Sequence, residues 1–299
     1  MNCKLFLLFA FFPFLCFCQV ENSTPKETKY FKKISLEKYW KLDTSVKNKT
    51  FKIEHYKPIY IAVTNYLDGV NETPQSENSL NNVTKPIDYV SSELKFQLSF
   101  KSLVFSTIFS SGVGFWGAYT QSSRWQIFNE EISRPFRETN YEPEGIFVAP
   151  VNIKVFGLNM VYASVAFNHQ SNGRSNPYSR SWNRLIFEAG FQGENFTMLL
   201  RPWIRISEDF KDDNNPAISD YIGRGEFIFE YIKKRISIRM QARHTLKFNT
   251  KNRGSIHLNI GYKLKDALAL QAQVFHGYGE SLLDYNYKQT MIGLGVSFL

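Results

Sequence analysis

The chain has 299 residues, a formal net charge of +9 and three cysteines, which lie at positions 3, 16 and 18. This length is enough for one large domain or for a closed barrel. The basic residues are scattered along the chain, a distribution that disfavours a nucleic-acid partner and fits anionic lipid headgroups. Because Cys3, Cys16 and Cys18 all precede residue 19, the remaining sequence excludes disulfides, cysteine hydrolases and zinc thiolate sites.

The first 18 residues have the pattern of a secretory signal. Lys4 is followed by an apolar run, and small residues stand at positions 16 and 18, before Gln19. The alternative is an uncleaved anchor, but the run is short for a membrane span of about 20 residues. We therefore expect residues 1–18 to be a cleaved signal peptide. Residues 19–57, polar and rich in lysine, are predicted to form a periplasmic extension.

Residues 58–299 contain segments of about ten residues in which apolar side chains alternate with polar ones, separated by Gly, Asn, Asp and Pro turns. This period of two predicts β-strands with two different faces. Roughly twelve strands can be counted, which predicts an all-β, antiparallel transmembrane barrel of the outer-membrane type. The clearest candidates are Glu93 to Phe100, Phe196 to Ile206, Tyr221 to Tyr231, Ser255 to Tyr262 and Ala267 to Phe275.

The last ten residues and the aromatic content support a membrane barrel. In the segment 290–299, Ile292, Leu294, Val296 and Phe298 share one face, and small or polar residues share the other. The 27 Phe and 16 Tyr are typical of the aromatic girdles of such barrels. A soluble β-sandwich would alternate in the same way and is the alternative fold.

One predicted strand carries polar side chains on its apolar face. In VYASVAFNHQS, the odd-numbered residues form the apolar face, and His169 and Ser171 continue that row at its polar end. The same argument places Asn183 on the apolar face of the next strand. In a barrel with a polar interior, all three side chains would face lipid.

These residue types fit a hydrolytic triad. Ser171 would be the nucleophile, His169 its base, and Asn183 the acceptor that orients the imidazole. A nucleophile on the outside of a barrel reaches substrates within the bilayer, so the substrate would be a lipid ester. Alternatively, these polar residues merely meet lipid headgroups. The sequence contains no GxSxG elbow, HExxH helix or phosphate-binding glycine loop.

The string NHQSNGRSNPYSRSWNR, from Asn168 to Arg184, closely resembles the signature of the outer-membrane phospholipase A family. YTQSSRWQ, SRPFRETNYEP and GYGESLLDYNYKQT also resemble that family, in the same order. The resemblance implies a twelve-stranded barrel with the triad Ser171, His169 and Asn183. It also implies a calcium-dependent phospholipase A1 and A2, active on lysophospholipids too, that works as a homodimer.

The resemblance further implies calcium ligands. These are the backbone carbonyl of Arg174, the hydroxyl of Ser179 and, from the partner subunit, Ser133, while Gln121 matches a polar position of the dimer interface. Oxygen ligands of this kind suit calcium.

Asn176 stands where the family often has Asp, which weakens any second calcium site. The loop KDDNNPA offers Asp213 as a ligand of that site, with Asp212 and Asn214 as alternatives. Solvated loop charges are an equally good interpretation of these acids. A catalytically inactive barrel, either a pore or an adhesin, is the alternative function.

Overall fold

A computed structural model describes residues 30–32, 35–46, 48–108, 112–249 and 251–298. The predicted signal peptide lies outside these residues. No helix in the described ranges is long and apolar enough to cross a membrane. The main elements are α1 (Leu36–Trp40), β1 (Ile53–His55), β2 (Ile59–Leu67), β3 (Ser92–Ile108), β4 (Val113–Trp125), β5 (Phe136–Val155), β6 (Leu158–Ser171), β7 (Ser181–Gln192), β8 (Phe196–Ile206), β9 (Gly225–Lys233), β10 (Ile236–His244), β11 (Gly254–Lys265), β12 (Leu268–Tyr278) and β13 (Lys288–Phe298).

The sheet closes on itself. Strands β2 to β13 pair antiparallel with their neighbours in sequence, and β13 returns to pair with β2. The short β1 pairs with β3 and is not counted among the strands of the closed barrel. Closure leaves no sheet edge whose backbone groups would lack partners in hydrocarbon. The predicted barrel of about twelve antiparallel strands is thus confirmed, and the β-sandwich alternative is wrong.

Side chains alternate between the lumen and the outer wall. In β13, Ile292 and Leu294 are 53% and 60% exposed, whereas Ser297 on the other face is buried. In β6, Tyr162 and Asn168 are buried in the lumen. In a closed barrel with a polar lumen, an outer wall of exposed apolar side chains is the face that a bilayer covers.

The two ends of the barrel differ in the length of their connections. At one end the strands are joined by tight turns, as between β5 and β6 at residues 156–157. At the other end the connections are long, and residues 68–91 and 207–224 are the longest. In outer-membrane barrels the short turns are periplasmic and the long loops extracellular. The loop that follows Ser171 therefore lies at the extracellular rim.

One predicted strand boundary is wrong. β9 begins at Gly225 instead of Tyr221. Tyr221 packs in the preceding loop against Tyr278, with 5.4 Å between ring centroids. The chain turns at Gly223, whose φ of 110° is a conformation that side chains other than glycine rarely adopt.

Buried ion pairs occupy the lumen. Arg201 lies between Glu188 and Glu226, at 2.6 and 2.8 Å. Towards the long loops, Arg137 pairs with Glu93 at 2.8 Å and with Asp284. A charge removed from water needs such partners, because an unpaired buried charge is strongly destabilising. The first set of pairs links β7, β8 and β9, and the second links β3, β5 and the loop before β13.

Helix α1 lies inside the barrel at the end with the short turns. Trp40 packs edge-on against the lumen residue Trp116, with ring centroids 5.4 Å apart. The Lys101 ammonium lies 3.1 Å from the ring centroid of Tyr39 and 3.7 Å from that of Trp40. The described part of segment 19–57 is therefore anchored to the lumen, and its predicted periplasmic location stays a prediction.

Replacement of a buried lumen arginine will destabilise the barrel. Arg137→Met leaves Glu93 and Asp284 unpaired in the interior, so we expect the free energy of unfolding to fall by about 3–5 kcal/mol. Arg134→Met is the matched control, since Arg134 pairs with Glu130 where both side chains are exposed, at 51% and 80%. For Arg134→Met the free energy of unfolding should fall by less than about 1 kcal/mol. Denaturant titrations in lipid vesicles measure both values, and equal losses would contradict the prediction.

Candidate active site

The pairing of β6 with β7 brings the predicted site residues together. His169 lies directly opposite Asn183, and Ser171 lies opposite Ser181. The row that ends in His169 and Ser171 includes Phe167, which is 54% exposed on the outer wall. The prediction that these side chains share the outward face is therefore consistent with the register, and they lie at the extracellular end of the strand.

The imidazole and the amide form a hydrogen bond. His169 Nδ1 lies 2.8 Å from Asn183 Oδ1. With Asn183 Oδ1 as the acceptor, Nδ1 carries the proton, and the neutral imidazole has its lone pair on Nε2. Ser171 is two residues further along the same face, roughly 7 Å away along the strand. This arrangement leaves Nε2 as the imidazole atom that can accept a proton, on the same face of β6 as Ser171.

A third polar residue, missed at the level of sequence, continues this chain of hydrogen bonds. Asn183 Nδ2 donates to Glu208 Oε1 at 2.8 Å. Glu208 follows the end of β8, and Ile206 in β8 pairs with Asn183. The short turn between β7 and β8 sets this register, so the strand pattern contained the signal that could have placed Glu208 near Asn183.

Arg174 and Ser179 lie in the loop that connects β6 to β7. The Ser179 hydroxyl accepts from Asn214 Nδ2 at 3.1 Å, and its carbonyl accepts from Asn81 Nδ2 at 3.0 Å. The Arg174 guanidinium stacks on Tyr178, 4.2 Å from the ring centroid. These contacts hold the loop on its neighbours. The Ser179 hydroxyl and carbonyl are neutral oxygen atoms, one of the ligand types that calcium accepts beside carboxylates.

Ser133 and Gln121 lie on other elements. Ser133 is exposed in the loop between β4 and β5, with φ at 62°. Gln121 is on the outer face of β4, where its side chain accepts from the Tyr119 hydroxyl at 3.1 Å and donates to Ser123 Oγ at 3.3 Å. Ser133 is thus exposed on a loop, and the Gln121 side chain lies on the outer wall, hydrogen-bonded to its own strand.

Asp213 is not brought to the other predicted ligands. Its two carboxylate oxygens lie 2.6 and 2.7 Å from Arg205 Nη2, and the side chain is buried. Its neighbour Asn214 instead reaches Ser179, and Asn81 links Asn214 to Asn176. The loop turns the two side chains in opposite directions, so Asp213 lies apart from the other predicted ligands and Asn214 lies beside Ser179.

Arg180 fixes the base of the same loop. Its guanidinium donates to the carbonyl of Ser179 at 2.8 Å and to that of Asn81 at 2.9 Å. Burial lowers the pKa of Arg180, although nearby acidic groups oppose that effect. The group holds the loop through neutral carbonyls, and the cluster of Asn81, Asn176 and Asn214 carries no formal negative charge.

A closed barrel with a polar lumen, an apolar outer wall and a histidine–asparagine pair at its rim defines a class: outer-membrane barrels that carry an outward-facing candidate hydrolytic site. Residues 36–298 match the family model described as phospholipase A1. The chain belongs to this family.

Curated relatives agree with this assignment. A putative phospholipase A1 of Neisseria meningitidis serogroup B is 37% identical over 251 residues, which are 82% of this chain and 65% of that protein. The chain thus spans slightly less than two thirds of that relative. Phospholipase A1 of Escherichia coli K12 is 33% identical over 250 residues, covering 81% of this chain and 83% of the relative.

Solved structures are similar as well. Outer membrane phospholipase A from Escherichia coli has a TM-score of 0.74 at 30% identity and covers 86% of this chain and 95% of its own. The outer membrane phospholipase of Salmonella typhi, solved as a dimer with bound calcium, also has a TM-score of 0.74 at 30% identity. It covers 85% of this chain and 94% of its own.

A sulfonyl fluoride will distinguish an activated serine from an inert one. We expect the reagent to modify Ser171 and the label to disappear in His169→Ala, because the nucleophile needs its base. Ser181→Ala, on the facing strand, is the control and should keep the label. Mass spectrometry of digested protein locates the modification, and labelling that survives His169→Ala would contradict the assignment.

Proposed function

We propose that this protein hydrolyses the acyl ester bonds of phospholipids in the outer membrane, with Ser171, His169 and Asn183 as its catalytic triad. The observation that carries the proposal is the His169–Asn183 hydrogen bond beside Ser171 on the lipid-facing wall. Membership of the phospholipase A1 family supports the same reaction.

The proposed reaction has two steps. His169 Nε2 takes the proton of Ser171 Oγ while that oxygen attacks the acyl carbonyl carbon. The imidazolium then protonates the departing glycerol oxygen, which releases a lysophospholipid and leaves an acyl-serine. In the second step His169 takes a proton from water while the water oxygen attacks the acyl carbon. The imidazolium then returns this proton to Ser171 Oγ as the acyl bond breaks, so that the fatty acid leaves and the serine hydroxyl is restored.

The substrate enters from the bilayer in this proposal. Phe167 and Phe147 are exposed on the wall below the site, where acyl chains would lie. An open wall does not distinguish the two glycerol positions by shape, which supports phospholipase A1 and A2 activity and action on lysophospholipids. Export through a cleaved signal peptide at residues 1–18 belongs to the same proposal.

Calcium is proposed as the cofactor and a homodimer as the active form. The carbonyl of Arg174 and the hydroxyl of Ser179 would hold the ion, together with Ser133 of the partner subunit. Bound there, calcium would stabilise negative charge on the carbonyl oxygen of the ester. Gln121, on the outer wall, would lie in the interface. The Salmonella typhi relative, solved as a dimer with bound calcium, supports calcium as the ion and a dimer as the assembly.

A catalytically inactive pore or adhesin is the competing function. The lumen argues against a wide pore, since Arg137, Arg180 and Lys101 are all buried within it or against its loops. A pore also gives no reason for a histidine and an asparagine to form a hydrogen bond on the outside of the wall. Ion conductance in planar bilayers without serine labelling would favour the competing function.

Loss of the nucleophile should abolish lipid hydrolysis. We expect Ser171→Ala to lower kcat by a factor of at least about 1000, because the acyl-enzyme cannot form. Fatty-acid release from mixed micelles of phospholipid and detergent, with calcium present, measures the effect. Thr290→Ser, on a distant strand, is the control and should retain activity. Equal hydrolysis by Ser171→Ala and the unaltered protein would refute the triad.

Calcium dependence should trace to the loop that follows Ser171. We expect Ser179→Ala to raise the calcium concentration for half-maximal activity roughly tenfold, since one oxygen ligand is lost. Ser175→Ala is the matched control, an exposed serine of the same loop, and should leave that concentration unchanged. Full activity of the unaltered protein in excess chelator would remove calcium from the mechanism while leaving the triad intact.

A further inference from the structure

We propose that Glu208 is a positioning residue of this site, which fixes the orientation of Asn183 and supplies the negative charge that an asparagine lacks. The inference rests on the proposed function, because it assigns a role in the same hydrolytic reaction. Its basis is a chain of two hydrogen bonds: Glu208 Oε1 to Asn183 Nδ2, and Asn183 Oδ1 to His169 Nδ1, each at 2.8 Å.

An asparagine alone cannot fix the tautomer of a histidine. Its amide can rotate by half a turn, which exchanges the oxygen for the nitrogen and would present a donor to the imidazole. An ionised carboxylate can only accept hydrogen bonds. Glu208 therefore holds the Asn183 nitrogen on its own side and forces the amide oxygen towards His169. The proton is then fixed on Nδ1, and Nε2 is kept as the base.

The carboxylate also compensates for the neutral charge of Asn183. An imidazolium forms when His169 takes the serine proton, and a nearby negative charge stabilises it. Glu208 is separated from His169 by two hydrogen bonds, with the Asn183 amide between them. Polarisation of this amide strengthens both hydrogen bonds. The effect on the transition state should be that of a charge-assisted hydrogen bond and smaller than that of a directly bound aspartate.

The position of Glu208 suits this role. It belongs to the extracellular loop that follows β8, two residues beyond Ile206, which pairs with Asn183. Its side chain is partly buried, whereas the next acid, Asp209, is exposed. Asp209 is bound to the rest of the loop through its carbonyl, which accepts from the amides of Asp212 and Asp213. The two acids share a loop and a charge, but Glu208 is the one that touches the site.

The test compares the two acids in lipid hydrolysis with calcium present. We expect Glu208→Gln to lower kcat about tenfold, equivalent to ~1.4 kcal/mol, with KM changed less than about twofold. Glu208→Asp retains the charge and should recover most of the lost rate. Asp209→Asn is the matched control and should behave like the unaltered protein. Heat-modifiable migration on gels verifies that each variant is folded.

A double-mutant cycle identifies the path of the effect. If Glu208 acts through Asn183, Glu208→Gln should cause no further loss in an Asn183→Ala background. A full tenfold loss in that background would overturn the inference. So would a kcat for Glu208→Gln equal to that of the unaltered protein, provided that Ser171→Ala is inactive. Absence of hydrolysis by the unaltered protein would instead refute the proposed function itself.

Discussion

Closure of the sheet is the constraint on which the rest of the structure depends. In hydrocarbon each backbone donor and acceptor must find a partner within the protein, and the pairing of β13 with β2 completes the ring. Closure also decides which side chains meet lipid, since alternate residues of every strand face outwards. A polar group on that face is tolerated where the strand reaches the headgroups. His169 and Ser171, near the end of β6, occupy that position.

Buried ion pairs in the lumen tie the extracellular loops to the strands. Glu280, from the loop between β12 and β13, pairs with Arg124 at 2.6 Å and also with Lys95. Burial alone would raise the pKa of Glu280, but these two cations hold it well below its usual range. The carboxylate therefore stays ionised at neutral pH and ties a loop to β3 and β4. A rigid scaffold of this kind keeps hydrogen-bonded side chains in register for catalysis.

The period of two predicted the barrel, and face parity predicted which side chains point outwards, because both are local properties of a strand. Loop geometry was harder to infer. Asp213 and Asn214 are adjacent in sequence, yet one binds Arg205 and the other reaches Ser179, as the path of the loop dictates. Glu208 was missed because its contact with Asn183 depends on the register of two strands and on a residue beyond the end of one of them.

In the proposed site, Asn183 binds the imidazole and Glu208 carries the negative charge, and this separation of the two roles has a physical reason. An aspartate at position 183 would place a full charge on the lipid-facing wall, where removal from water is costly. With an amide there, the wall carries a neutral group, and the charge is held by the extracellular loop, where Glu208 remains partly exposed. In the proposed mechanism, water solvates the carboxylate and the amide transmits its effect to His169. Under the proposed mechanism, a weaker stabilisation of the imidazolium is the cost of keeping the wall neutral.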